Sequence, residues 1–185
     1  MRAAAALLLA PVVVLAAGCA TALPVVPQAA PPAAATAPPA PAATGTARVH
    51  VTFYGGPDND PPGSDDIAYP NGRHATAGGT GTYDDPITLA TDPRELPPGT
   101  VAYDPQLKKY FVMEDDCEEC IADWGNSHRP HIDLWTASAG PGLPACEEAL
   151  TPPGLVTIEI NPPSDRPVDP RPLYDVATDR CWSAS

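Results

Sequence analysis

Apolar and polar positions alternate along Arg48-Val49-His50-Val51-Thr52-Phe53-Tyr54, placing Val49, Val51 and Phe53 on one face. That two-residue period predicts a strand buried on one side. Shorter apolar or β-branched runs recur at Ile87–Thr91, Thr100–Tyr103, Tyr110–Met113, His131–Thr136 and Leu155–Ile160. Turn-forming clusters separate them, including Gly55-Gly56-Pro57-Asp58, Gly78-Gly79-Thr80-Gly81 and Leu96-Pro97-Pro98-Gly99. Only Cys146–Leu150 has a helical look. Six short strands of uneven spacing, with little helix between them, predict an all-β fold closed into a small barrel. Closure also removes exposed sheet edges.

The chain ahead of the first strand reads differently. Arg2 precedes an apolar stretch, Ala3 to Ala17, interrupted by Pro11. It is shorter than the roughly 20 residues of a membrane span and has the shape of a signal-peptide core. It ends in Leu15-Ala16-Ala17-Gly18-Cys19, which resembles the bacterial lipobox with Ala16 where that pattern prefers Leu. Residues 1–19 are therefore expected to be a lipoprotein-type signal peptide with Cys19 as the acylated residue, and two acyl chains would give stable anchoring. Cleavage near Ala20 or Ala22, discarding Cys19, is the alternative. Residues 20–47 are almost only Ala, Pro, Thr and Val without charge, a semi-extended linker. The expected product is exported, either membrane-anchored through lipid alone or secreted.

Composition narrows the picture. The 185 residues include 27 Pro and 14 Gly, about a fifth of the chain, which excludes a helical bundle. Ten basic residues face 23 acidic ones, a net charge of -13, and every acid lies at or beyond Asp58. Such a field opposes nucleic-acid phosphates. About 135–140 residues remain for folding, enough for one modest domain, expected as a monomer spanning 48–160 with a Pro-rich tail at 161–185. Without Cys19, the four cysteines Cys117, Cys120, Cys146 and Cys181 form an even set and imply two disulfides in an exported chain. Three pairings are open, and Cys181 would staple the tail back.

Three segments carry a family resemblance. Val51-Thr52-Phe53-Tyr54-Gly55-Gly56 resembles the Thr-Phe-Tyr-Gly-Gly strand of expansins. Glu114-Asp115-Asp116-Cys117-Glu118-Glu119-Cys120 is similar to the Asp-x-Cys-x-x-Cys segment of expansin-like and barwin-like domains. His131-Ile132-Asp133-Leu134 looks like the His-Phe-Asp-Leu motif of expansins and family-45 endoglucanases. The resemblance implies a six-stranded double-psi β-barrel of the RlpA-like superfamily, with a groove for cell-wall polysaccharide or peptidoglycan. In the endoglucanases the matching Asp is the general acid and a second Asp near the first strand is the base. Asp133 takes the acid position, while Asp58 and Asp60 follow a turn rather than standing where the hydrolases place their base. The expansins lack the base, so the resemblance implies binding without hydrolysis. Only 25 residues follow Ile160, too few for the second expansin domain.

The residues themselves support a similar site. Inverting glycoside hydrolysis needs two carboxyls about 6.5–9.5 Å apart, one protonated and one ionised. Asp133 lies between Ile132 and Leu134, and Asp115 ends an apolar run. On neighbouring strands they would face one groove and raise one another's pKa, a catalytic pair for a glycoside hydrolase or lytic transglycosylase. Thr52 and Tyr54 share the strand face away from Val51 and Phe53. With Asp58 and His131 they are candidate ligand-binding residues. Trp124, placed in an exposed loop Ile121–Pro130, and Trp135 are candidate sugar-stacking platforms. Asp116, Glu118 and Glu119 read as a solvated acidic turn.

Other chemistries fit less well. Cys117, Cys120, His128 and His131 are zinc-competent, yet their spacing is shorter than usual and export favours disulfides, so no metal is expected. Asp115–Glu119 lacks the alternating oxygens of a calcium loop. No cofactor motif is present. Small disulfide-linked barrels also serve as protease inhibitors, so a protease is the alternative partner.

Overall fold

The computed structural model describes residues 44–182. The expected signal peptide, Cys19 and nearly all of the linker lie outside the described residues. The elements in chain order are β1 (Gly45–Tyr54), a 3-10 turn (Gly56–Asp58), β2 (Ile87–Thr91), β3 (Val101–Asp104) and β4 (Lys109–Asp115). Then come α1 (Glu118–Ser127), β5 (His131–Trp135), α2 (Leu143–Leu150), β6 (Val156–Ile160), β7 (Tyr174–Asp175) and β8 (Arg180–Cys181). The first six strands close into a barrel in the order β1-β5-β2-β4-β3-β6. This is the closed six-stranded β-barrel expected from the strand pattern. Two pairs, β1 with β5 and β2 with β4, are parallel, and the remaining neighbours run antiparallel.

β1 serves two neighbours along its length. Gly45 to Val49 pair antiparallel with β6, and His50 to Tyr54 pair parallel with β5. The barrel therefore begins inside the stretch expected as linker, three residues before Arg48. Val49, Val51 and Phe53 turn into the core, as their alternation requires. β2 and β4 are buried at every position, which is why they read as continuous runs rather than as alternation. Leu89, Phe111, Met113, Ile132, Leu134 and Ile158 fill the centre with almost no exposure.

Two regions differ from expectation. Glu118–Ser127 is a helix, not a loop: Cys117 caps it, with its Sγ accepting from the Cys120 N–H at 3.1 Å. Acidic Glu118 and Glu119 sit in the first turn, where the helix dipole favours negative charge. The helix stops at His128, which adopts a left-handed conformation at φ 52°. The tail, expected to be stapled through Cys181, has regular structure of its own that the sequence did not show. It carries the β7–β8 hairpin, buries Leu173 and Tyr174, and is joined to α2 by the Cys146–Cys181 disulfide. The other pair is Cys117–Cys120, so of the three open pairings the structure selects the one that joins cysteines consecutive in the set.

Candidate functional site

One groove of about 940 Å³ opens along the barrel. β1 contributes Thr52, Phe53 and Tyr54, the turn after it Asp58 to Asp60, and β2 only the small Ala90. β4 and the start of α1 add Asp115 to Glu119, β5 adds Asp133, and α2 adds Glu147 and Glu148. Thr52, Tyr54, Asp58, Asp60, Asp115 and Asp133, six residues singled out from the sequence, thus meet in one cleft.

Asp115 and Asp133 are not on neighbouring strands. β2 runs between them, and Ala90 stands in register with both. A methyl side chain at that position leaves the space between the carboxyls open to the groove. Asp115 is fully engaged, accepting from Tyr54 Oη, Ala68 N and Asp116 N, each at 2.9 Å. Burial pushes its carboxyl up while these bonds pull it down. Asp133 is pushed up to about 7, chiefly by burial, with the charges of Glu119 and Asp58 adding and a hydrogen bond to Thr52 opposing. Its Oδ1 is buried without a partner. The expected mutual elevation of Asp115 and Asp133 is therefore replaced by desolvation of each.

Glu147 is a third carboxyl at the same site, missed in the sequence. It is buried on α2 and pushed up to about 8 by burial, then by the charge of Asp58 and a hydrogen bond shared with it. Its Oε1 also lacks a partner. Burial and the neighbouring carboxylate both favour the protonated form of Glu147. The Gly-Gly turn makes this approach possible: a Cβ on Gly55 would fall 2.5 Å from Ala137 O and 2.7 Å from Glu147 Oε1.

His131 lies behind the groove wall rather than on it, buried on β5. Its Nε2 is 3.0 Å from Thr52 Oγ1 and its Nδ1 is 2.8 Å from Asp123 Oδ2 on α1. Thr52 is in register with Asp133 across the parallel pair and hydrogen-bonds it. Asp133, Thr52, His131 and Asp123 thus form one chain of hydrogen bonds. When His131 Nδ1–H donates to Asp123, bare Nε2 accepts the Thr52 hydroxyl proton, and Thr52 can only accept from a protonated Asp133.

The aromatic expectations are corrected. Trp124 is half-buried on α1 against His128, with ring centroids 5.1 Å apart, because the segment is helical and not an open loop. Trp135 is buried and lines a separate cavity of about 290 Å³ with Leu173 and Thr136. Neither lines the acidic groove. The four zinc-competent residues do not converge as a set: Cys117 and Cys120 sulfurs and a His131 ring nitrogen lie within 4.8 Å of one another, while His128 is exposed at the helix end. With both sulfurs in a disulfide, the thiolates a zinc site needs are used up. Asp116, Glu118 and Glu119 are exposed, as expected of an acidic turn, but they also form the groove rim.

Comparison with known proteins follows the folded part closely. Residues 46–182 match a protein family described as the DDB_G0273701 N-terminal domain. The chain belongs to that family. A relative, the uncharacterized protein DDB_G0273701/DDB_G0273221 of Dictyostelium discoideum, is 42% identical over 133 residues. The alignment covers 71% of this chain and 58% of the relative, so the chain spans little more than half of that protein. No solved structure matches. The family match coincides with the barrel, α1, α2 and the stapled tail, so the groove lies wholly within the shared domain. Among the described residues, no helix is long and apolar enough to cross a membrane.

Proposed function

We propose that this domain is an exported, expansin-like binder of cell-envelope polysaccharide, which receives a sugar chain along the acidic groove and holds it without hydrolysis. The observation that carries the reading is Asp133: a carboxyl with a pKa about 7, one oxygen unpartnered, on the floor of an elongated cleft. A neutral carboxylic acid donates a hydrogen bond that an ionised one cannot, and a sugar hydroxyl or ring oxygen accepts it. Asp115 and Tyr54, already locked together, give a fixed polar wall beside it. The groove's negative rim opposes anionic polymers and favours uncharged chains such as cellulose or chitin over peptidoglycan.

A second reading is favoured by Glu147 and Asp58. A carboxyl whose protonated form is favoured, in a cleft that carries further carboxyls, is what glycoside cleavage requires of its acid. Asp133 would then protonate the leaving oxygen, with hydrolysis or lytic release as the outcome.

Cosedimentation with cellulose, chitin and peptidoglycan between pH 5 and pH 9, with assay of released sugars, tests both. For the binding reading, wild type holds an uncharged polymer below pH 7 and loses about tenfold in affinity above it. Asp133→Asn keeps a donor and flattens the profile, and Asp133→Ala loses binding at every pH. Binding that ignores pH and both substitutions would overturn the reading. Sugars released by wild type but not by Asp133→Asn would establish the cleavage reading instead.

A further inference from the structure

The pair Cys117–Cys120 has a setting that a fold staple does not require. It closes a loop with a sequence separation of only 3, whereas Cys146–Cys181 spans 35. In the chain-entropy account the shorter closure stabilises less than the longer. The short pair stands at the N-terminus of α1, with Cys117 at the cap and Cys120 in the first turn. Its two sulfurs also differ in access. Cys117 lines the groove, while Cys120 is completely buried behind it. A ring nitrogen of His131 lies within 4.8 Å of both sulfurs. An outward sulfur to be attacked, an inward sulfur to leave and a titratable imidazole beside them make the parts of a thiol–disulfide exchange centre.

We propose that Cys117–Cys120 is a redox-active disulfide that oxidises dithiols entering the acidic groove, a function separate from polysaccharide binding. In the first step a substrate thiolate attacks Cys117 Sγ. A bond forms between the substrate sulfur and Cys117, the Cys117–Cys120 bond breaks, and Cys120 leaves with the electron pair. The proton released by the substrate thiol ends on Cys120, and His131, held by its contacts to Thr52 and Asp123, lies beside both sulfurs. In the second step the substrate's other thiolate attacks its own bound sulfur. The substrate disulfide forms, Cys117 leaves as thiolate and takes the second proton. Two electrons and two protons pass from the substrate dithiol to Cys117 and Cys120, and the substrate is the only reductant needed.

Charge selects the substrate. Asp116, Glu118 and Glu119 surround the entrance and Asp58 and Asp60 face it across the groove. An anionic thiol such as glutathione is repelled, and a thiol carried beside positive charge, as on a basic peptide, is attracted. The partner chemistry is a cationic dithiol.

The test uses the oxidised full-length protein with cysteamine, a cationic thiol, or glutathione, followed by alkylation and peptide mass spectrometry. Cys117 and Cys120 are expected to open while Cys146 and Cys181 stay joined, with the mixed disulfide on Cys117. Cysteamine should react at least fivefold faster than glutathione at low salt, the ratio shrinking as salt is added. Cys120→Ser leaves Cys117 as a free thiol, which should attack cystamine, the disulfide of cysteamine, release one cysteamine and keep a stable adduct. Opening of both disulfides together, an adduct on Cys120, no opening under native conditions, or equal rates for the two thiols would each overturn the proposal. The wild-type measurement stands even if Cys120→Ser fails to fold.

Discussion

Where the tail packs on the barrel, Lys109 is wholly buried and its Nζ donates to Asp169 O at 2.7 Å and Arg171 O at 2.6 Å. Tyr110 Oη donates to Pro163 O and accepts from Arg166 N, and Tyr103 Oη donates to Pro167 O. At the groove, Asp133 Oδ1 and Glu147 Oε1 are equally buried and have no partner. Burying a polar atom without a partner costs about 1–3 kcal/mol. The tail region uses its buried polar groups to fix a backbone that has little regular structure. The groove carries such groups at a cost, on residues that line the cleft. Satisfied polar burial marks the part that holds shape, and unsatisfied polar burial marks the part left for a ligand.

The disulfides give the largest test of that contrast. Cys146→Ser/Cys181→Ser frees the tail and is expected to lower stability by about 4 kcal/mol in urea unfolding. Cys117→Ser/Cys120→Ser, at the groove, is expected to cost about 2 kcal/mol. Equal losses would mean that the groove pair is as much a staple as the tail pair, and the division between the regions would fail.

Lys109→Met comes next. The methionine fills the stem's volume but leaves the carbonyls of Asp169 and Arg171 buried and unpaired, for a loss of about 3 kcal/mol. Groove properties, including the pH profile of polymer binding, should not move. A loss under about 1 kcal/mol would show that the tail carbonyls find water, and that the tail is held by its disulfide and apolar contacts alone.

The sequence was legible where one local period decided the outcome. All six barrel strands follow from alternation or from β-branched runs, and β2 falls on Ile87–Thr91 as read. Thr52 and Tyr54 followed from β1's period, and Asp115 and Asp133 from their places beside or within apolar runs. What stayed hidden depends on contacts distant in the chain. Asp123 looked like a loop residue because Gly125, Asn126 and Ser127 weaken the helix signal, so its bond to His131 had no place in the reading. Glu147 is one of two adjacent acids on α2, and only its approach to Gly55, 92 positions earlier, distinguishes it from Glu148. The tryptophans misled because composition favours stacking platforms, whereas apolar area on a small barrel is more urgently needed for packing, as Trp135 shows with 4% exposure.

Asp133→Asn probes the contrast at its finest point. The carboxyl titrates at about 7 in the folded chain against an ordinary 3.8. Folding therefore favours the protonated form: the penalty is absent below about pH 4, grows as pH rises, and is complete above about 7. Each pKa unit is worth about 1.4 kcal/mol, so the full shift sets a ceiling near 4 kcal/mol, and relaxation of the site leaves about 2 kcal/mol as the expected effect. Wild type should lose that stability between pH 4 and pH 8, and Asp133→Asn should lose about 2 kcal/mol less over the same range. Urea unfolding of both proteins at pH 4.5 and pH 8 gives the comparison directly. An enzyme or binder that keeps such a group accepts instability for the sake of a proton in its cleft. If the two proteins respond to pH in parallel, Asp133 is solvated, its proton is ordinary, and the groove loses its claim to be the unsatisfied half of the molecule.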